Sequence, residues 1–90
     1  MKQHVSTEQA KEIYEKMCAY LPTIGLAPKG YTNLSEYMNI GHMIKILGCR
    51  FEKIDYDFFT NNYYVKVKDK GTYGKPELCD ALFEAVKRVL

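Results

Sequence analysis

Residues 49–68, CRFEKIDYDFFTNNYYVKVK, decide the fold class. Up to Leu47 the apolar residues recur at helical spacing. From Cys49 they alternate with charged residues, the period of a half-buried strand. The alternation changes phase between Phe51 and Ile54, which predicts a β-bulge at Glu52 or Lys53. Thr60-Asn61-Asn62 predicts a turn, because Asn tolerates the positive φ of tight hairpins. Tyr63 to Lys68 reads as the return strand, with Tyr63, Val65 and Val67 on one face and Tyr64, Lys66 and Lys68 on the other. Asp69-Lys70-Gly71 predicts a second turn, and Thr72-Tyr73 a stub of third strand. The strands are therefore placed at 49–58, 62–68 and, as the stub, 72–73.

Helical patterns flank this hairpin. The first helix spans 6–21: Ser6 and Gln9 have capping-box spacing, Val5 and Ala10 take the staple positions, and Ala10, Ile13, Tyr14, Met17 and Leu21 form one stripe. Pro22 ends it. Residues 22–33 carry two Pro and two Gly and read as a long loop, pinned to the core edge by Ile24, Leu26 and Tyr31. The second helix spans 34–47, with Asn33 and Glu36 as capping partners and Gly48 as the stop. Its main stripe is Tyr37, Ile40, Ile44 and Leu47, widened by Leu34, Met38 and Met43, while Ser35, Asn39 and His42 face away. Gly41 in mid-helix predicts a close neighbour. The last helix spans 76–89, with Pro76 at its first position, a Leu78, Leu82, Ala85, Val89 stripe, and a Glu84–Arg88 pair. The order is α-α-β-β-(β)-α. The fold class is α+β: a small antiparallel sheet of two or three strands covered by three helices, in a single domain over 1–90.

A chain of 90 residues can build one core but leaves little material for a deep pocket. A net charge of +2 is too small to imply a nucleic-acid partner by itself. No stretch approaches a membrane span, and Met1 to His4 lead into a charged segment rather than a secretory leader, so a cytoplasmic protein is expected. Three Cys, at 18, 49 and 79, are odd in number and far apart. They read as small core residues in a reducing compartment, not as a disulfide framework or zinc ligands.

Catalytic groups are not gathered. His4 lies in a frayed terminus, and His42 on the polar side of a helix with no ligand at metal spacing. Cys49 follows a helix C-terminus, whose negative end does not favour a thiolate. Asp55 and Asp57 share a strand face near a hairpin tip, where solvated charges are common. No glycine-rich phosphate loop is present, since Gly71 and Gly74 frame a turn. No cofactor, metal or catalytic residue is expected, and the chain reads as a non-enzyme. The feature that rises above this background is the segment 64–75, where Tyr64, Lys66, Lys68, Lys70, Tyr73 and Lys75 interleave rings and cations. Such a stripe can contact phosphates and stack on bases, or be a solvated face whose Lys residues discourage edge pairing.

Residues 34–90 resemble the small phage and prophage proteins of the phage ABA-sandwich domain. The stretch from Tyr37 to Gly48 is similar to that family's helix ending in Gly before a strand. Tyr64 to Val67, followed by a turn and Pro76 to Ala85, is similar to its closing strand and Ala-rich helix. Trp residues of the family pattern are absent, with Met43 and Tyr64 near their places. The resemblance implies a viral or prophage accessory protein with a sheet between helices, and it brings no catalytic residues. The leading expectation is therefore a protein-interaction module that binds a host or phage protein or its own copy. The alternative is a nucleic-acid binder using 64–75. The α-β-β-β-α order also resembles the double-stranded-RNA-binding fold, but the last helix here opens on the acidic Pro76-Glu77-Leu78-Cys79-Asp80. A small enzyme is the third reading.

Overall fold

The computed structural model describes residues 2–25 and 29–90. Helix α1 (Thr7–Tyr20) starts as its sequence requires. Ser6 Oγ accepts the Gln9 N–H at 3.1 Å and Gln9 Oε1 accepts the Ser6 N–H at 2.9 Å. Two otherwise orphaned donors are thereby satisfied. Val5 and Ala10 are both fully buried across this cap. A 3-10 turn (Leu21–Ile24) follows and closes on Gly25, whose φ of 80° suits glycine. Leu26 and the Ile24 side chain, expected to pin the following loop, lie outside the described residues. Tyr31 does meet the core edge, with its ring edge-on to Tyr14 at 4.8 Å.

The expected single helix over 34–47 is two helices, α2 (Tyr31–Tyr37) and α3 (Ile40–Leu47). The N-terminal segment causes the break. It runs antiparallel past Met38-Asn39, so that the Val5 N–H donates to the Met38 carbonyl and the Ile40 N–H to the Gln3 carbonyl, each at 3.1 Å. Asn39 then caps α3, its Oδ1 accepting the His42 N–H at 2.8 Å. Periodicity is blind to this break because the apolar stripe continues through it. The fully covered residues are Leu34, Met38, Met43 and Leu47, whereas Tyr37, Ile40 and Ile44 sit half-buried at the rim. Asn33 is no cap; it lies inside α2 and accepts the Lys29 N–H. Ser35 faces inward, not outward: it is 3% exposed and donates to the Val5 carbonyl at 2.6 Å. Gly41 has no close neighbour, since an added Cβ would meet only Asn39 Oδ1 at 3.6 Å. His4 is not frayed but fixed: its Nδ1 lies 2.8 Å from the Val5 carbonyl oxygen and 3.3 Å from Ser35 Oγ.

After a 3-10 turn (Gly48–Arg50) come β1 (Phe51–Asp57), β2 (Asn62–Val67) and β3 (Gly71–Lys75), antiparallel in the order β1-β2-β3. The register shifts between Phe51 and Lys53, which is the bulge the change of phase predicts. Asn61 takes the positive φ expected of the first turn, and Asp69 does so in the second. The third strand is a full partner rather than a stub, paired from Tyr63↔Lys75 to Val67↔Gly71.

Helix α4 (Leu78–Val89) begins two residues later than expected, leaving Pro76 outside and Glu77 at the cap, where its carboxylate accepts the Lys2 N–H at 3.3 Å and not an N–H of the helix. It packs on β2, β3 and α3, while α1 packs on α2. Val65, Val67, Leu82, Phe83, Ala85 and Val86 belong to the resulting single core. Lys87, not Arg88, pairs with Glu84 (3.5 Å) and with Glu12 of α1 (3.1 Å). Of the three thiols only Cys79 is buried; Cys18 is half-covered and Cys49 is exposed. Burial pushes the Cys79 thiol up to about 11. Among the described residues no helix is long and apolar enough to cross a membrane.

The start of α4 is held by the N-terminal segment. Lys2 Nζ donates to Asp80 Oδ1 and to Gln9 Oε1, each at 2.7 Å, and Gln9 Nε2 donates to Asp80 Oδ1 at 2.9 Å. Burial pushes the Asp80 carboxyl up, but the Lys2 and Gln9 hydrogen bonds, with the Lys2 and Lys75 charges, outweigh it and hold it below the usual range. A lowered folded-state value stabilises above the unfolded pKa of about 3.9 and is lost as pH falls through the folded one. Urea titrations below about pH 4 are therefore expected to show an acid loss of stability that Asp80→Asn shows to a lesser degree. Equal acid losses in both proteins would exclude this role for Asp80.

Candidate interaction surface

The turn joining β1 to β2 carries the least covered apolar side chains of the described residues: Phe58 is 82% and Phe59 99% exposed. Their placement follows from local geometry. Asp57 Oδ1 accepts the Phe59 N–H at 2.9 Å, and the Asp57 carbonyl accepts the Asn61 N–H at 2.8 Å. Asn61 in turn takes a left-handed φ of 56° and accepts the Tyr56 hydroxyl at 3.1 Å. The turn is thus tied at its base while both Phe rings point away from the core. Phe58 stacks edge-on against Tyr56 at 5.1 Å, and Tyr56 lies 4.8 Å from Tyr63. The nearby carboxylates are engaged: Asp55 pairs with Lys53 at 3.1 Å, and Asp57 is spent on the turn.

The bulge sets a second feature. It brings Phe51 into phase with Ile54 and Tyr56 on the helix-facing side of β1. Helix α4 covers β2 and β3, so Phe51 and Ile54 stay half-buried and Tyr56 is 39% exposed.

The six residues of the 64–75 stripe do not form one surface. Cross-strand partners share a face. Tyr64 pairs with Asp55 and Gly74, and Lys66 with Lys53 and Thr72, on the face away from the helices. Tyr73 pairs with the buried Val65, and Lys75 with Tyr63, on the helix-facing side. Lys68 and Lys70 lie in the turn at the far end of the sheet, where the Tyr73 hydroxyl donates to the Lys70 carbonyl. Lys70, Tyr73, Asp69 and Arg88 line an open hollow there.

On the outer face Lys53, Asp55, Tyr64, Lys66 and Thr72 line a shallow concavity of about 310 Å³. Its floor is Tyr64 lying across Gly74. A Cβ on Gly74 would come within 2.5 Å of the Tyr64 ring, so glycine is what lets the ring lie flat on the sheet. Its cations are paired: Lys66 Nζ is 3.5 Å from Glu52 and Lys53 Nζ 3.1 Å from Asp55.

Three of the residues weighed for chemistry, His42, Asp55 and Asp57, have structural partners. His42 stacks on Tyr37 at 4.4 Å with its Nδ1 2.6 Å from the Tyr37 carbonyl oxygen, fastening the α2–α3 break. Asp57 organises the turn, and Asp55 pairs with Lys53. Among the described residues no group of three or more His, Cys, Asp or Glu is placed to hold a metal. The hairpin tip escapes sequence reasoning because Phe58 merely closes the expected strand 49–58 and Phe59 lies just beyond it; the signal is two adjacent rings at the end of a strand, where alternation can bury only one. A scan of protein-family models gives no match, and comparison with curated proteins and with solved structures gives none either.

Proposed function

We propose that this chain is a non-enzymatic protein-interaction module that binds through its β1–β2 hairpin. The observation that carries this is the near-complete exposure of Phe58 and Phe59 on a turn whose main chain is fixed. A folded domain gains nothing from leaving two rings in water, whereas rigid aromatic anchors dominate protein interfaces. The partner that fits is a protein with an apolar cleft, since the rings are what the turn exposes, while Asp55 is paired with Lys53 and the Asp57 carboxylate holds the turn. A host or phage protein, as the resemblance of residues 34–90 implies, is part of the same proposal. The nucleic-acid alternative is less favoured by the outer face, where Lys53 and Lys66 already face Asp55 and Glu52.

Burying the two rings is worth about 1.5–3 kcal/mol each. Phe58→Ala/Phe59→Ala is thus expected to weaken partner binding by about a hundredfold or more while leaving the urea midpoint unchanged. A photo-crosslinking side chain at position 59 should give one defined adduct in lysate of the source cells. Excess unlabelled protein should compete it away, and the double-Ala variant should not. Diffuse labelling, or competition by the double-Ala variant, would refute the hairpin as the binding element.

A further inference from the structure

Among the described residues β1 is an edge strand, with β2 as its neighbour in the sheet. Such an edge offers unpaired N–H and C=O groups, and most proteins blunt it with charge. Here the charges are arranged to accept one partner. The segment Lys53-Ile54-Asp55 is self-complementary when read antiparallel. A twofold axis at Ile54 sets Lys53 of one copy opposite Asp55 of the other, twice per interface. Moving the axis to Asp55 would oppose that residue to itself, and moving it to Tyr56 would oppose Asp55 to Asp57. Both side chains are free enough to re-pair, at 59% and 61% exposed.

The same register brings the apolar surfaces together. Ile54 meets Ile54 of the second copy on the half-covered, helix-facing side. Beyond the charged pair, Tyr56 of one copy faces the bulge of the other, which sets Phe51 on that same side. The bulge at Glu52 restricts the regular ladder to the residues beside the axis, so side-chain contact and not ladder length carries the pairing.

We propose that β1 pairs antiparallel with β1 of a second copy about a twofold axis at Ile54, joining the two sheets into one of six strands. This rests on the hairpin-module reading and names its partner as the chain itself. Sedimentation from low to high micromolar concentration should show a reversible dimer. Asp55→Lys should weaken it about tenfold or more, because the like-charge contact arises twice, and Lys53→Asp/Asp55→Lys should restore it. In a Cys18→Ser/Cys49→Ser background, Ile54→Cys should form a disulfide-linked dimer on mild oxidation. Directly opposed antiparallel residues have Cα atoms about 4.5–5.5 Å apart, within disulfide reach. Lys16→Cys in the same background should not cross-link. A monomer at every concentration, a dimer indifferent to Asp55→Lys, or one that the charge exchange fails to restore overturns the proposal. A competable adduct to a different protein from position 59 of a strictly monomeric chain would overturn self-pairing alone and leave the module reading standing.

Discussion

Phe83→Ala is expected to lower the unfolding free energy by about 3–5 kcal/mol. Phe83 heads the fully buried side chains by size, at 1% exposed. It sits mid-way along α4, the helix that packs on β2, β3 and α3 together. Removing the ring from so covered a site leaves a cavity, because the surrounding structure relaxes into it only in part. A chain of 90 residues has a total stability of roughly 5–13 kcal/mol. The variant is thus left near the unfolding threshold. Urea denaturation of Phe83→Ala beside Phe83→Leu tests this, with the second change expected to cost much less because more of the volume is kept. A loss under about 1 kcal/mol for the Ala variant would mean that the Phe83 ring is not packed as a core side chain.

Val5→Asp is expected to cost about 2–4 kcal/mol, bounded by release of the N-terminal segment. Val5 is fully buried and its N–H donates to the Met38 carbonyl. An unpaired carboxylate cannot stay at that site, since burying a lone charge costs more than undocking the segment. The loss is then the burial of Val5, about 1.5–3 kcal/mol, plus hydrogen bonds worth about 0.5–1.5 kcal/mol each. Recovered chain entropy offsets part of this. Amide exchange gives the specific signature: the Val5 and Ile40 amides should lose protection while those of β2 keep theirs. Uniform loss of protection, or none, would contradict a segment that undocks as a unit.

The undocking segment also explains the principal failure of the sequence-based expectation. Residues 34–47 carry a continuous apolar pattern, which a single helix and a helix broken at Asn39 satisfy equally. What divides them is a main-chain pairing with residues 3–5, some 35 positions away. Ser35 departs from the outward position its pattern predicts for the same reason: its hydroxyl is buried because the Val5 carbonyl accepts from it. Local signals fared better where the chemistry is local. The Ser6–Gln9 capping box, the bulge before Lys53 and the left-handed Asn61 are each set by neighbouring residues alone.

The binding stripe expected at 64–75 divides between two faces because β3 is a full strand. Once Tyr73 pairs with Val65, its ring is committed to the helix side, and no count of Lys and Tyr along the chain can reveal that. The exposed tip was hidden differently. A pair of Phe residues carries the same hydrophobicity wherever it lies, and only the tied turn and the reach of α4 over β2 and β3 leave it in water.

By itself, then, the sequence determined the α+β class, the hairpin with its bulge, and the first and last helices within one or two residues. These follow from periodicity, caps and turn propensities, which act over a few residues. The tertiary structure alone decided the break at Asn39, the burial of Ser35, the exposure of Cys49 and the place of β1 at the edge of the sheet. Those depend on which distant backbone satisfies a carbonyl and on which strand a helix happens to cover. That is a matter of long-range packing, and it is there, on the hairpin opened to the chain's surroundings, that the proposed function resides.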